Sequence, residues 1–353
     1  MKKILLFALL SAFSVNAQTI TNYVTGLGVP TGIAFDGSGN LYVADYNAYK
    51  VTKITPSLTQ TTFISTLSAS PQQIAFDPSG NLWIAGSGNF GNEIAKATAA
   101  GVLTSYTATN SPYGIAIDAA GNVYYSEANS SSGDIKKRST AGVTTTFATG
   151  FTTPNGLAFD PSGNLIVADK LDGAIKKITP AGVISTLISG MANPTNVVYA
   201  PNGDLYISTG SQSRIFRFPA GSVDGDQVQF VSFGYPNYDT AGQMAIYNGA
   251  LYVSTGSSSK KIIKITDPVL GLEDINSPVN NKLVVYPNPA TDYLYIENNN
   301  GNLETVALFD IAGRLVKNFK SSDIKDNKII LPNLTAGNYI LKANNVSKKI
   351  IVK

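Results

Sequence analysis

The sequence contains no cysteine and no histidine. Without cysteine there is no disulfide, no zinc–thiolate site and no thiol nucleophile. Without histidine, the Ser-His-Asp triad, the commonest general base and the commonest transition-metal ligand are all unavailable. Charge is scarce as well: Asp, Glu, Lys and Arg make up 14% of the 353 residues, against roughly 25% in ordinary soluble domains. Low charge with abundant Gly, Ser, Thr and Asn suits an extracellular β protein. The net charge of +3 is unevenly spread. Residues 277–353 carry ten Lys/Arg against six Asp/Glu and the first 17 residues two lysines, which leaves −3 for the stretch between them. A mildly acidic body argues against nucleic acid as a partner, because nucleic-acid binders cluster basic side chains on one surface.

Long apolar runs are also missing, with one exception at the start. In "MKKILLFALLSAFSVNAQT", Lys2 and Lys3 precede an apolar run from Ile4 to about Val15 and a small-residue ending at Ala17. This is the layout of a secretory signal peptide over 1–17, with cleavage expected after Ala17. The run is shorter than the roughly 20 apolar residues that a spanning helix needs. No later stretch is long enough either, so the mature chain is expected to have no transmembrane segment, to be soluble and to be a monomer.

What the sequence has in quantity is one phrase, repeated. "PTGIAFDGSGNLYVAD" (30–45) returns as "PQQIAFDPSGNLWIAG" (71–86), "PNGLAFDPSGNLIVAD" (154–169) and in looser form elsewhere. Aligned on the first residue of its second half, the copies fall at Leu41, Leu82, Val123, Leu165, Leu205 and Leu251. A period near 40 residues, with several short strands per unit and no helical periodicity, predicts a β-propeller. Each unit reads as strands a to d, and in "DPSGN" (160–164) Pro161 and Gly163 supply the turn between a and b. Small Ala34, Ala75, Ala116 and Ala158 would suit the crowded region near the axis. The sixth unit stops after its strand c at "KKIIKITDP" (260–268), whereas "QTITNYVTGLGVP" (18–30) looks like an orphan strand d. The N-terminal strand is therefore expected to complete the last blade, leaving no open edge. The fold class is all-β: a six-bladed propeller over 18–270, a linker over 271–282, and a small Ig-like antiparallel sandwich over 283–353, where alternation and turn signals resume.

These residues, P-x-G-I-A-F-D followed by G-N-L-Y-V-A-D, resemble NHL repeats, and the repeat region as a whole resembles the six-bladed propellers of the gluconolactonase and regucalcin family. The tail is similar to the C-terminal sorting domain of type IX secretion substrates through Tyr286-Pro287-Asn288-Pro289, Asp310-Ile311-Ala312-Gly313-Arg314, Gly337-Asn338-Tyr339 and the terminal Lys-Ile-Ile-Val-Lys. That resemblance implies the secretion machinery as a partner, outer-membrane translocation, removal of the tail, and a propeller that is released or held at the cell surface. An adhesive or carbohydrate-binding sandwich is the other reading of the tail.

Propeller ligands sit at the mouth of the central channel, so the position after each motif proline is the place to look: Thr31, Gln72, Tyr113, Asn155 and Thr195, with Gly242 as the sixth. The gluconolactonase resemblance implies a divalent metal held by carboxylates and amides from several blades, with an Asn in Pro-Asn-Gly as one ligand. Asn155 matches; the corresponding positions of the other blades carry no Asp or Glu. Calcium wants about six oxygens, usually including carboxylates, so no metal and no cofactor is expected, and Asn155 reads as a turn residue. Asp45, Glu127 and Asp169 end strand b and could face the channel as an acid and a base, or cap the b–c loop. Asp36, Asp77, Asp118 and Asp160 recur at the a–b turn and read as turn chemistry, as does Asp224-Gly225-Asp226 in place of a calcium loop. Tyr46, Tyr49, Phe90, Tyr113, Tyr125, Tyr235 and Tyr238 are candidate stacking surfaces for sugars or partners, and Trp83 reads as core. The leading reading is a secreted binding or scaffold module for a polar ligand, a glycan or a protein. The alternative is a metal-dependent lactonase-like hydrolase, or a lyase of the streptogramin type, although a histidine-dependent mechanism cannot operate here.

Overall fold

The computed structural model describes residues 18–88, 91–129, 132–210, 213–233, 241–256, 259–267, 270, 283–298, 306–310, 315–343 and 346–353. The signal segment, the linker, Phe90, Tyr235, Tyr238, Gly313 and Arg314 lie outside them.

The described residues form strands, with one turn of 3-10 helix in the tail. β1 is Thr19–Val24. The first blade is β2 (Pro30–Phe35), β3 (Leu41–Asp45), β4 (Lys50–Ile54) and β5 (Gln60–Ile64). The second is β6 (Ser70–Phe76), β7 (Leu82–Ser87), β8 (Glu93–Ala97) and β9 (Leu103–Thr107). The third is β10 (Ser111–Ile117), β11 (Val123–Ala128), β12 (Gly133–Arg138) and β13 (Thr144–Phe151), and the fourth β14 (Pro154–Phe159), β15 (Leu165–Asp169), β16 (Ala174–Ile178) and β17 (Ile184–Ile188). The fifth is β18 (Pro194–Tyr199), β19 (Leu205–Thr209), β20 (Arg214–Phe218) and β21 (Val228–Ser232). The sixth is β22 (Ala241–Tyr247), β23 (Ala250–Thr255) and β24 (Lys261–Thr266), and its fourth strand is β1. Thr19 pairs with Thr266 and Asn22 with Ile263, antiparallel.

The inner strands touch in the cyclic order β2, β6, β10, β14, β18, β22 and back to β2, so the ring is closed. Each gap between blades holds its own apolar cluster. Tyr42, Ala44 and Val51 meet Ile74, Leu82 and Ile84 between the first two blades. Ile33, Leu41 and Val43 meet Ala250, Tyr252 and Ile262, together with Val24 from β1, at the closing seam. Second strands are buried along their whole length, whereas outer strands such as β5 begin exposed. That gradient explains the sequence: a strand covered on both faces is apolar on both faces.

The a–b turns are the same device four times over. The carboxylate of Asp36 accepts the amides of Ser38 and Asn40 at 2.9 Å each and the Asn40 side-chain amide at 2.8 Å. Asp77, Asp118 and Asp160 repeat the pattern, and Gly163 takes the positive φ of 80° that the turn needs. Burial works against the charged form of Asp36 and Asp77, but the hydrogen bonds from Asn40 and from Asn81 and Trp83 outweigh it and hold both carboxyls below their ordinary value. Trp83 is indeed core: it is buried and donates its ring N–H to Asp77 at 2.9 Å.

The crowding at the axis falls two residues before the recurrent alanines. A Cβ on Gly156 would lie 2.6 Å from the Cα of Asn196, and one on Gly114 would run into the Asn155 carbonyl. Here the next blade approaches the backbone itself, which only glycine allows. Ala34, Ala75 and Ala158 are only partly buried and pack into the gaps between blades.

The tail is a separate two-sheet sandwich. β25 (Leu283–Tyr286), β26 (Tyr293–Asn298) and β29 (Lys328–Ile330) form one sheet, and β27 (Val306–Asp310), β28 (Leu315–Phe319), β30 (Gly337–Ala343) and β31 (Val346–Val352) the other. Leu294, Ile296, Val306, Leu308, Leu341 and Ile350 fill the space between them.

Candidate functional site

The position after each motif proline converges on one cavity at the channel mouth. Thr31, Gln72, Tyr113, Asn155, Thr195 and Gly242 all line it, and its volume is about 540 Å³. That is within the range of pockets that hold small ligands. The reason is the pleat. Each motif proline pairs with the end of strand b, as Pro30 with Asp45 and Pro154 with Asp169, so the next residue of every inner strand stands at the same height on the axis.

Three of these side chains are engaged by the ring itself. The Thr31 hydroxyl donates to the Pro71 carbonyl of the next blade at 2.7 Å, the Thr195 hydroxyl pairs with that of Ser208 at 3.0 Å, and Gln72 donates to the Ser87 hydroxyl at 3.1 Å. Gly242 contributes backbone only. The Tyr113 hydroxyl and the Asn155 side-chain amide make no bond to any described residue and sit on adjoining blades; Asn155 is not the turn residue expected, because it lies within β14 and lines the cavity.

Below this ring lies a second that sequence reasoning missed. One residue further along, the six inner strands read Gly32, Gln73, Gly114, Gly156, Asn196 and Gln243. The Gln243 side-chain oxygen accepts the amides of Ile33 at 2.9 Å and Ile74 at 3.1 Å, while its nitrogen donates to the Ile74 carbonyl. It reaches past the bare Gly32 and binds the sixth blade to the first and second. Asn196 accepts the Met244 amide at 3.1 Å, tying the fifth blade to the sixth. Gln73 does neither: it lines the cavity, is only 7% exposed, and its side-chain oxygen has no partner. The signal available in the sequence was three amides interrupting a row of glycines.

The candidate acids are elsewhere. Asp45 accepts the amides of Val29 at 3.0 Å and Ala48 at 3.2 Å; Asp169 accepts those of Thr152 at 3.1 Å and Thr153 at 2.7 Å. Glu127 accepts the Thr109 amide at 3.0 Å. These carboxylates staple chiefly the segment that leads into each motif proline; only Asp45 also caps the b–c loop. None lines the axial cavity. Asp169 is fully buried and pairs with Lys176 at 2.8 Å. The corresponding Lys136 turns instead to Asp134 and Thr146, leaving one oxygen of the buried Glu127 without a partner. Burial pushes the Glu127 carboxyl up, against the pull of the Thr109 amide and the Lys136 charge. Glu127 faces a different cavity of about 330 Å³ between the second and third blades, with Tyr125, Lys136 and Arg138. Tyr125 is buried there and so is not an exposed stacking platform; burial raises its hydroxyl to about 12. Tyr46 and Tyr49 are partly exposed and lie outside the axial cavity. Asp224 caps Ser189 and Asp226 caps the Val223 amide, which makes that segment a turn. Among the described residues no three His, Cys, Asp or Glu side chains come together as metal ligands would.

Among the described residues the cavity holds one charged side chain, Lys170, which follows the last residue of β15. Lys170 is half-buried and has no ion-pair partner among the described residues. At the corresponding place on the fifth and sixth blades the cavity is lined by Gly210 and Gly256.

In the tail, the Asn288 side chain accepts the Ile351 amide at 2.8 Å and the Ala290 amide bonds the Ile351 carbonyl, so the Pro287–Pro289 turn is fastened to the last strand. Tyr339 is buried and its hydroxyl donates to the Thr335 carbonyl at 2.9 Å. Gly337 opens β30 and Asp310 ends β27, whose register places it opposite Tyr339. Among the described residues no helix is long and apolar enough to cross a membrane.

Residues 284–353 match the family described as secretion system C-terminal sorting domain. No curated protein matches the chain. Among solved structures, a gluconolactonase from Xanthomonas campestris aligns with a TM-score of 0.60 at 16% identity, over 70% of this chain and 89% of that one. A virginiamycin B lyase from Staphylococcus aureus aligns with a TM-score of 0.55 at 16% identity, over 71% and 99%. A PQQ-bound aldose sugar dehydrogenase from Streptomyces coelicolor gives 0.58 at 14%, over 71% and 98%. At such identities the likeness is one of fold, and a single fold serves many chemistries. The chain is thus a β-propeller joined to a secretion-system C-terminal sorting domain, which marks it for export to the cell surface or beyond.

Proposed function

We propose that the propeller works outside the cell as a binding module that holds a polar ligand in its axial mouth. The observation that carries this reading is the convergence of six blades on a cavity of about 540 Å³ lined, among the described residues, by amides, hydroxyls and one lysine, with no carboxylate. Export fits the same picture. The first 17 residues read as a signal peptide, and the tail then hands the chain to the outer-membrane secretion machinery, which removes it.

The second reading, a lactonase-like hydrolase or a lyase, is favoured by likeness to structures of those enzymes. The divalent metal that the gluconolactonase resemblance implies does not fit these residues. Asn155 supplies one neutral oxygen, the described residues of the other blades add no carboxylate at the mouth, and Lys170 brings a positive charge that would repel a cation. For the S. aureus lyase, a histidine-to-alanine variant is catalytically inactive, and this chain has no histidine to take that part.

A lactone panel with and without added Ca²⁺, Mn²⁺ and Zn²⁺ separates the two readings. The binding module gives no turnover above the metal-only blank under any condition. Metal-dependent turnover that disappears in Asn155→Ala would establish the hydrolase instead.

A further inference from the structure

The mouth is not equivalent all the way round, and its asymmetry has a chemical sense. On the first, fifth and sixth blades the polar groups are spent on the ring: Thr31 on Pro71, Thr195 on Ser208, Asn196 on Met244, Gln243 on Ile33 and Ile74, and Ser254 on the Thr31 carbonyl at 2.6 Å. On the second, third and fourth blades Gln73, Tyr113, Asn155 and Lys170 line the same cavity with uncommitted groups. Gln73 is more than nine-tenths buried with an orphaned oxygen, and a buried acceptor without a partner is costly unless something fills it. A 180° turn of its amide offers the cavity either a donor or an acceptor.

We propose that the mouth is selective for a sugar acid, a hydroxylated carboxylate, with Lys170 as the residue that sets the charge preference. This rests on the binding reading above. The carboxylate meets the Lys170 ammonium and the Tyr113 hydroxyl, the one cation and the free phenol of the described lining. The ligand hydroxyls meet Asn155 and Gln73, amides that each both donate and accept. Gly210 and Gly256 add no side chain to the fifth and sixth blades, whose other polar groups are already committed, giving the sugar ring room. Among the described residues no carboxylate lines the cavity to repel the anion or to balance Lys170. A uronate at the end of a polysaccharide offers the same chemistry as a free one.

The test is calorimetric titration of the full chain, in chelator-treated buffer, with galacturonate, glucuronate, a galacturonate trimer, galactose and glucose. The uronates should bind at least ten-fold more tightly than the neutral sugars, and raising NaCl from about 50 to 500 mM should weaken only the uronates, since exposed charge is screened at high salt. Lys170→Gln should erase the ten-fold preference, while Lys177→Gln, on β16 outside the cavity, should keep it. A trimer tighter than the monomer assigns the polymer as source, and equal affinity the free acid. Equal binding of uronates and neutral sugars, or a preference unchanged in Lys170→Gln, overturns the inference and leaves the mouth as a binding site. No binding by any of the five also overturns it. Binding that survives both Tyr113→Ala and Asn155→Ala places the ligand elsewhere and overturns the reading of the mouth itself.

Discussion

Glu127 and Asp169 stand at the same place in adjacent blades, yet their charges are differently supported. Asp169 accepts two amides and a lysine, whereas one Glu127 oxygen is buried with nothing to bind. Removing the charge should therefore have unequal consequences. Asp169→Asn leaves Lys176 short of its main partner and should cost about 3 kcal/mol, the scale for breaking a buried pair. Glu127→Gln relieves a poorly solvated carboxylate and should change stability by less than about 1 kcal/mol, in either direction, at pH 7. The folded Glu127 carboxyl titrates above its unfolded value of about 4.3. Its protonated form thus favours folding below that value, and the benefit is lost as pH rises through the folded pKa. Urea unfolding at pH 4 and pH 7 should accordingly show the wild type gaining on Glu127→Gln as pH falls. A Glu127→Gln loss as large as that of Asp169→Asn would mean that the carboxylate is paired after all. The staples were legible as capping residues because carboxylates at a strand end usually bind backbone amides. Which amides they bind was not, because the answer depends on the loop before the next proline rather than the loop after the strand. The same limit hid the fate of Thr31: its height on the axis follows from the repeat, but its partner is a carbonyl 40 residues away.

At the scale of the strand, β1 is held chiefly by its ladder. Its burial is slight, with Val24 the one fully covered side chain and Tyr23 packed edge-on against Tyr252 at 4.9 Å. Its ladder and the burial of Val24 offset the entropy of ordering it, and their loss also uncovers the β24 edge. Deleting residues 18–28 should lower the unfolding free energy by about 3–4 kcal/mol and leave β24 as an exposed sheet edge prone to self-association. Unchanged melting in the deletion would contradict the pairing. This strand was readable because the sixth unit lacked its fourth strand and the chain start resembled one. The inner amide ring was not, since the sequence marks it only by three departures from glycine, and a glutamine reaching across two blades leaves no local periodic trace.

At the scale of the whole molecule, a ring of six near-identical hairpins builds a symmetric frame, and function lies where the copies differ. The closed ring fixes six backbones around one cavity, the committed polar groups hold neighbouring blades together, and the uncommitted ones gather on one side of the mouth. The sorting domain marks the propeller for export to the cell surface or beyond. Hydrogen exchange of the full chain with and without saturating galacturonate tests this account most directly. It predicts slowed exchange in the segments 71–74, 112–115 and 154–157, with the outer strands unaffected. Slowing confined to residues 134–146, beside the cavity between the second and third blades, or slowing nowhere, would contradict it.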